Sequence, residues 1–270
     1  MKRIITLSLL VMTITLSYAQ PKSAEYYAEK GRSIARVGNY KEAIKYYDTA
    51  LSINPKSALA YYHRAVSKAM IGNYLEALAD YDYAIGMGEK NDESYYNRGI
   101  SKYYLNYFKT AIPDFTIAIK LNAKYTNAYL FRGYSLTKLD DYAAALKDFN
   151  TALSLDSLSE DGYSNRGTCY LMLKDNKAAL TDYNKALQLD STDLHARNGR
   201  SQAKALMEDY KGALLDLNYI IRIDPNHKQA IYNRIGVRLQ LGDKAGACED
   251  YRKGLTLGEP KNDEIEAYCK

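Results

Sequence analysis

Hydrophobic residues recur along this chain at helical spacing, in paired runs separated by short polar breaks. One run that falls on a single helix face consists of Ile44, Tyr47, Ala50 and Leu51. Breaks of the same kind occur at Gly38-Asn39, Gly72-Asn73, Asp140-Asp141 and Gly242-Asp243. A glycine supplies the left-handed residue that ends a helix, and the Asn or Asp after it caps the next helix. The pattern therefore predicts a series of helix hairpins.

Two of these breaks resemble capping boxes. Asn39 is followed three residues later by Glu42, and Asn73 is followed at the same distance by Glu76. In a capping box the cap side chain bonds a backbone N–H of the first turn, and the acidic side chain bonds back to the N–H of the cap residue. We expect this reciprocal pair at both positions.

Pro113 interrupts one of the apolar runs, six positions after a break. Proline has no backbone N–H and its ring crowds the preceding turn of a helix. We therefore expect a kink or a late start in the helix that contains it.

The hairpins repeat every 34 residues without one insertion. Seven units ending at Lys261 start at Ala24, Ala58, Asp92, Thr126, Glu160, Leu194 and Lys228. Position 20 of each unit is alanine, position 4 is tyrosine in the first five units, and position 8 is small in the first six. One hairpin cannot bury both of its apolar faces, so neighbouring units must stack. We predict an all-α solenoid over residues 24–261, preceded by a short segment, 20–23, and closed by a capping helix, 262–270.

The columns resemble the tetratricopeptide repeat, whose signature places aromatic, Leu-Gly, aromatic, Ala, Phe and Pro residues at these offsets. Two departures are tyrosine for tryptophan at position 4 and arginine for leucine at position 7. The resemblance implies a right-handed α-solenoid whose first helices line a concave groove. It also implies a non-catalytic scaffold that binds a protein or peptide partner in that groove.

A subgroup of that family grips C-terminal carboxylates with Lys, Arg and Asn side chains in the groove. Its Asn column is matched here by Asn97, Asn165 and Asn233. The basic partners do not follow, because position 2 carries Glu25, Glu93 and Asp161. We do not predict a carboxylate clamp.

The groove face of each first helix should hold positions 2, 5, 6, 9, 12 and 13. The chain contains 28 tyrosines and no tryptophan, and several rings fall on this face in repeats two to four. The candidate binding residues are Tyr62, His63, Tyr96, Asn97, Tyr103, Tyr104, Phe131, Tyr134, Asn165 and Asn233. Rings and amides together suit a peptide partner. Two other interpretations remain open: tyrosines that only fill gaps between repeats, and a glycan or cell-wall (peptidoglycan) binding surface.

Position 7 is arginine and position 23 is aspartate in repeats two to seven, whereas repeat one has Lys30 and Tyr46. Because both columns change together, we expect contact within each repeat. The predicted pairs are Arg64–Asp80, Arg98–Asp114, Arg132–Asp148, Arg166–Asp182, Arg200–Asp216 and Arg234–Asp250. A bidentate pair suits a strut between two helices. The alternative, a ladder of anion-binding arginines, is disfavoured because bound carboxylates would spoil it.

The three cysteines have different expectations. Cys169 occupies a small packed position and is predicted to be an inert core thiol. Cys248 packs towards the unit that follows it, and behind the last repeat there is only the short helix that contains Cys269. We predict a disulfide between Cys248 and Cys269 that fastens the capping helix.

The first 19 residues predict export. Lys2 and Arg3 precede an apolar run from Ile4 to Leu16, and a small-x-small site ends at Ala19. This order is typical of a cleaved signal peptide, and the run is short for a membrane span. We expect a periplasmic or secreted protein with no integral membrane span after cleavage.

Charge and motifs exclude several classes of function. Removal of the leader lowers the formal net charge from +5 to +3, which is too mild to indicate nucleic-acid binding. The three histidines have no zinc-type spacing, so we predict no metal and no cofactor. No catalytic constellation stands out, and we predict that the protein is not an enzyme.

Overall fold

The computed structural model describes residues 22–270, so the predicted signal peptide over residues 1–19 lies outside the described residues. This part of the chain forms fifteen α-helices and no strand. The helices are α1 (Ala24–Arg36), α2 (Tyr40–Ile53), α3 (Ala58–Met70), α4 (Tyr74–Gly86), α5 (Asp92–Tyr104), α6 (Phe108–Leu121), α7 (Thr126–Thr137), α8 (Tyr142–Leu155), α9 (Glu160–Met172), α10 (Asn176–Leu189), α11 (Leu194–Leu206), α12 (Tyr210–Ile223), α13 (Lys228–Gln240), α14 (Lys244–Thr256) and α15 (Asp263–Tyr268).

The first fourteen helices form two layers. Each odd-numbered helix packs against the even-numbered helix that follows it, and it also contacts the next odd-numbered helix. Within residues 22–270, no even-numbered helix contacts the next even-numbered one. The odd-numbered helices α1 to α13 therefore form the inner layer of a curved stack, and α2 to α14 form its outer layer. The predicted all-α solenoid is confirmed.

Every hairpin turns through one residue in the left-handed conformation, at position 15 of its repeat. Glycine fills this position in three repeats, with φ between 75° and 83°: Gly38, Gly72 and Gly242. Other residues fill it in four repeats, with φ between 60° and 65°: Asn106, Asp140, Lys174 and Glu208. The left-handed conformation costs an L-residue roughly 1–2 kcal/mol. The packing of the flanking helices therefore compensates the conformational free energy that these four turns cost.

The predicted capping boxes are wrong. Asn39 does cap α2, since its Oδ1 accepts a hydrogen bond from the Glu42 N–H at 3.3 Å. Its own backbone N–H, however, already donates to the Ile34 carbonyl across the turn at 3.3 Å. Asn73 makes no side-chain cap bond, and its N–H likewise donates to the preceding helix. The tight turn therefore removes the donor that the acidic side chain would need.

Small residues at position 8 bring the two helices of a repeat together against a ring at position 24. A Cβ atom added to Gly99 would lie 2.7 Å from Cε1 of Phe115, and Gly31 faces Tyr47 in the same way. In the first five repeats the rings at position 24 are at most 1% exposed, and they are Tyr47, Tyr81, Phe115, Phe149 and Tyr183. Where position 8 is glycine, close packing of this kind leaves no room for a larger residue, whereas repeat seven accommodates Ile235 there.

The expected late start at Pro113 is wrong. The helix α6 begins at Phe108 and runs through the proline to Leu121. Both Pro113 and Lys109, whose carbonyl loses its helical partner, are exposed. Water can therefore satisfy that carbonyl, which lowers the cost of the proline. A bend in α6 stays a prediction.

The C-terminal end of the stack is closed by α15. The predicted disulfide is present, with 5.5 Å between the Cα atoms of Cys248 and Cys269. The Asn262 N–H donates to Oη of Tyr251 at 2.9 Å, and Ile265 packs against the core of the last repeat. Because the bond closes a loop of 21 residues, it should stabilise this end by about 3 kcal/mol.

Cys169 is fully buried, and burial raises the pKa of its thiol. Its Sγ lies 3.5 Å from Oγ1 of Thr137 on the neighbouring inner helix. The contact with Thr137 acts in the opposite direction but does not outweigh burial, so the reactive thiolate form is disfavoured.

The left-handed turns generate the first prediction. Lys174→Gly and Glu208→Gly should each raise the free energy of unfolding by about 1 kcal/mol, because glycine adopts this conformation without a Cβ penalty. Urea denaturation followed by circular dichroism would measure the change. Lys147→Gly, at an exposed site inside α8, is the matched control and should cost about 1 kcal/mol. Equal destabilisation by all three variants would contradict the account.

Candidate functional site

A contiguous cluster of rings lies on the inner layer, on α5 and α7. It consists of Tyr96, Tyr103, Phe131 and Tyr134, and we call it the ring cluster. Phe131 is central, since its ring centroid lies 6.0 Å from that of Tyr96, 5.4 Å from Tyr103 and 5.3 Å from Tyr134. All four side chains are partly exposed. Burial nevertheless raises the pKa of Tyr96 and Tyr134, so both present neutral phenol groups.

Tyr104 extends this surface towards repeat two. It is 51% exposed and stacks on Tyr74, with 4.9 Å between the ring centroids and 12° between the ring planes. Beside this pair is a cavity of about 360 Å³ between α3 and α5, which we call the N-terminal pocket. Its lining consists of Val66, Ala69, Met70, Tyr74, Tyr81, Tyr96, Asn97, Ile100, Tyr104 and Phe131.

Two predicted site residues, Tyr62 and His63, lie deeper in the stack. Tyr62 is only 8% exposed; its hydroxyl accepts a hydrogen bond from Nδ2 of Asn97 at 3.1 Å and donates to Oε2 of Glu93 at 3.3 Å. The ring of His63 lies near those of Tyr62 and Tyr47, with centroid distances of 5.2 and 6.1 Å. Burial lowers the pKa of His63, and the charge of a nearby arginine lowers it further. These two rings therefore fill space between repeats.

Asn165 and Asn233 lie apart from the ring cluster. The side chain of Asn165 bonds its own helix, since Nδ2 donates to the Asp161 carbonyl at 2.9 Å. The Nδ2 of Asn233 donates to Oδ1 of Asn198 at 3.0 Å. Of the two, only Asn233 lines a second cavity, of about 430 Å³, between α11 and α13. We call this cavity the C-terminal pocket.

Several residues of the C-terminal pocket were missed by sequence reasoning. Its lining consists of Ser201, Gln202, Ala205, Leu206, Tyr210, Leu217, Tyr232, Asn233, Gly236, Val237 and Gln240. The sequence does indicate one of them, because Tyr232 occupies position 5 of its repeat, as Tyr62 and Tyr96 do in theirs. Tyr232 stands alone in its repeat on the groove face, whereas the other tyrosine and phenylalanine rings of that face cluster in repeats two to four.

The structure brings all six predicted arginine–aspartate pairs into contact. Each arginine donates through Nε and Nη2 to both carboxylate oxygens of its own repeat, at 2.5–3.0 Å. The aspartate side chains are 2–7% exposed and the arginine side chains 13–20% exposed. The bidentate geometry fixes the angle between the two helices of a hairpin.

A third contact of each arginine was not foreseen. The remaining nitrogen, Nη1, donates to position 25 of the preceding repeat at 2.6–3.1 Å. The acceptors are Asp48, Asp82, Thr116, Asn150, Asn184 and Asn218. Each arginine thus joins two repeats as well as two helices.

The tyrosine column at position 4 supports these arginines. In repeats two to five the guanidinium carbon lies 5.3–5.7 Å from the centroid of the position-4 ring of the same helix. A cation above an aromatic face is stabilised in this geometry. The engaged guanidinium groups are therefore part of the scaffold, and an anion would have to displace a carboxylate to bind them.

Two further properties concern the described residues as a whole. No group of three or more His, Cys, Asp and Glu side chains within residues 22–270 could hold a metal ion. None of the helices in that range combines the length and the apolarity that a bilayer crossing requires.

Sequence comparison matches three tetratricopeptide repeat families. Residues 31–72 match a TPR repeat model, and residues 96–160 and 160–193 match two further models described as tetratricopeptide repeat. The chain belongs to the tetratricopeptide repeat family. No curated protein matches it in sequence.

Solved structures share the fold. A tetratricopeptide repeat protein from Parabacteroides merdae is 20% identical, with a TM-score of 0.66 over 91% of this chain and 97% of that one. PilF from Pseudomonas aeruginosa is 18% identical, with a TM-score of 0.66 over 77% of this chain and 94% of that one. YrrB, a TPR protein with an unusual peptide-binding site, is 25% identical, with a TM-score of 0.60 over 64% of this chain and 90% of its own.

The struts generate a prediction about stability and pH. Burial raises the pKa of Asp216, but hydrogen bonds from Arg200 and Lys204 outweigh burial and hold that pKa below its usual value. Asp216→Asn should therefore cost about 3 kcal/mol at pH 7. The stabilisation is present above the unfolded-state pKa, near 3.9, and is lost as pH falls through the lower folded-state pKa.

The measurement is the free energy of unfolding of both proteins between pH 6 and pH 3. The gap between them should narrow only below about pH 4. Asp82→Asn is the control, because the Asp82 side chain is 65% exposed and its loss should cost under about 1 kcal/mol. A gap that does not change with pH would show that the charge of Asp216 contributes nothing.

Proposed function

We propose that this protein is a non-catalytic scaffold that binds a protein or peptide segment along its inner layer, with the ring cluster as the main anchor. The observation that carries the proposal is the partly exposed row from Tyr104 to Tyr134 on stacked helices. Tyrosines in such a position commonly dominate binding energy.

Preorganisation supports a binding role. The ring cluster is held by edge-to-face contacts within the stack, so its side chains lose little freedom when a partner docks. YrrB, which shares this fold, is a TPR protein with a peptide-binding site. None of the three matched family models describes a catalytic domain.

We also propose that the protein is exported. The apolar leader with its cleavage site after Ala19 is the sequence argument. The Cys248–Cys269 bond supports it, because structural disulfides persist mainly in oxidising compartments.

Peptide selection tests the binding proposal. The full chain is immobilised and used to select from a displayed library of random 16-residue peptides, and selected peptides are measured by fluorescence anisotropy. Tyr96→Ala combined with Tyr104→Ala should weaken binding at least 30-fold, as expected for hot-spot residues. Tyr83→Ala is the control, since this tyrosine is 57% exposed on the outer layer, and it should change little.

Peptidoglycan fragments form the second arm of the same experiment. Failure to select any peptide, together with fragment binding that the Tyr96 and Tyr104 substitutions abolish, would replace the peptide proposal by glycan binding. Peptides whose affinity does not respond to those substitutions would overturn the assignment of the site.

The export proposal has its own test. Mass spectrometry of the protein purified from its native cells should show an N-terminus at Gln20 and no free thiol at Cys248 or Cys269. A chain that retains Met1 and carries both thiols free would contradict export.

A further inference from the structure

The two pockets of the inner layer are built from the same repeat positions. Position 17 of one repeat and positions 5 and 6 of the next supply Tyr74, Tyr96 and Asn97 to the N-terminal pocket. The same positions supply Tyr210, Tyr232 and Asn233 to the C-terminal pocket. The second pocket therefore repeats the first one four repeats further along the stack.

The interfaces between these pockets differ from both. Position 5 is Leu130, Ser164 and Asn198 in repeats four, five and six, and Leu130 and Ser164 are buried. At the interface between repeats one and two the position-5 residue is Tyr62, but its hydroxyl is hydrogen-bonded to Glu93 and Asn97 and its ring is buried. An accessible tyrosine at position 5 beside a tyrosine at position 17 is thus a feature shared by the two pockets.

Carboxylates without a salt bridge lie beside the N-terminal pocket and between the two pockets. Glu93 and Asp161 occupy position 2 of inner helices, on the groove face, and Glu160 precedes Asp161 at position 1; no salt bridge to any of them occurs within residues 22–270. Burial raises the pKa of Asp161, and the charges of Glu160 and Asp193 raise it further. On the same face Lys138, at position 13, carries one positive charge. The balance over this stretch favours a cationic partner.

We propose that the two pockets act together on one extended cationic polypeptide, which places an apolar side chain in each pocket and lays basic residues along the carboxylates between them. This inference rests on the proposed function and adds the class of ligand. The occupant is a polypeptide because the asparagine beside each tyrosine keeps one amide hydrogen and one carbonyl lone pair for a main chain, beyond its hydrogen bonds within the stack.

The spacing of the pockets sets the spacing of the two anchors. Packed helices lie about 10 Å apart, so four repeats correspond to roughly 40 Å along the inner layer. An extended chain covers about 3.3 Å per residue. The two apolar side chains should therefore be separated by about twelve residues.

Bivalent binding has a measurable signature. Once one anchor is bound, the second binds from an effective concentration set by the linker, so a matched peptide gains about 100-fold or more over a single anchor. A linker that is too short gains nothing, because it cannot reach both pockets.

The experiment uses lysine- and serine-rich peptides with two leucines separated by four, eight, twelve or sixteen residues, and a matched peptide with one leucine. Dissociation constants for the full chain are measured by fluorescence anisotropy. We expect the tightest binding at a separation of twelve, about 100-fold tighter than one leucine. Replacing the lysines by glutamates should weaken binding at least tenfold, and equal affinity for both would overturn the cationic preference.

Filling one pocket tests whether both are used. A Cβ added at Gly236 would meet nothing within 4 Å, so Gly236→Leu should fold and occupy the C-terminal pocket. It should lower the affinity of the peptide whose leucines are separated by twelve residues to that of the one-leucine peptide. Tyr232→Ala should act in the same direction. Gly86→Leu is the matched control, since Gly86 has equally open surroundings on the outer layer, and it should leave the affinity unchanged.

The failure of this inference can be separated from that of the proposed function. An affinity that does not depend on the separation of the two leucines would overturn the two-pocket proposal. An affinity that is unchanged in Gly236→Leu would overturn it as well. If the one-leucine peptide still binds and responds to Tyr96→Ala, the proposed function stands. If no peptide of the series binds and none is selected from the displayed library, both proposals fail.

Discussion

The rest of the stack depends on the hydrogen bonds made by the arginine at position 7. Arg98, for example, uses Nε and Nη2 for Asp114 in its own repeat and Nη1 for Asp82 in the repeat before it. One side chain thereby sets the angle within a hairpin and the angle between hairpins. Its two hydrogen bonds to Asp114 join charged groups in a largely buried place, where geometry is strongly specified.

Rigid stacking explains how side chains from neighbouring repeats form one continuous surface. The inner helices approach one another while the outer helices separate, so side chains at positions 5, 6, 9, 12 and 13 converge on one concave face. The ring cluster owes its form to this convergence. Phe131 on α7 contacts Tyr96 and Tyr103 on α5 because the 34-residue period has no insertions, so equivalent helices of neighbouring repeats present the same face.

Much of this architecture could be predicted from periodicity. A period of 34 residues with alanine at position 20 and a small residue at position 8 leaves few alternatives to stacked hairpins, and α5 begins at Asp92, the first residue of the third unit. The arginine–aspartate contacts were visible because both columns change together in repeat one. The acceptor of each arginine in the preceding repeat could not be predicted, because position 25 varies between Asp, Thr and Asn.

The site was less predictable, because identical residues at one repeat position have different surroundings. Tyr62 and Tyr96 both occupy position 5, yet Tyr62 is closed off by hydrogen bonds to Glu93 and Asn97. Position alone cannot tell a filling ring from an accessible one. The C-terminal pocket likewise depends on Gly236, whose missing side chain leaves a space that no sequence pattern marks as a cavity.

A crystal structure of the full chain with a selected peptide tests the central claim most directly. The account predicts a peptide that runs along the inner layer and contacts Tyr96, Tyr104 and Phe131, while the helix hairpins keep their arrangement. A peptide bound on the outer layer, or a stack whose arginine–aspartate contacts break on binding, would contradict it.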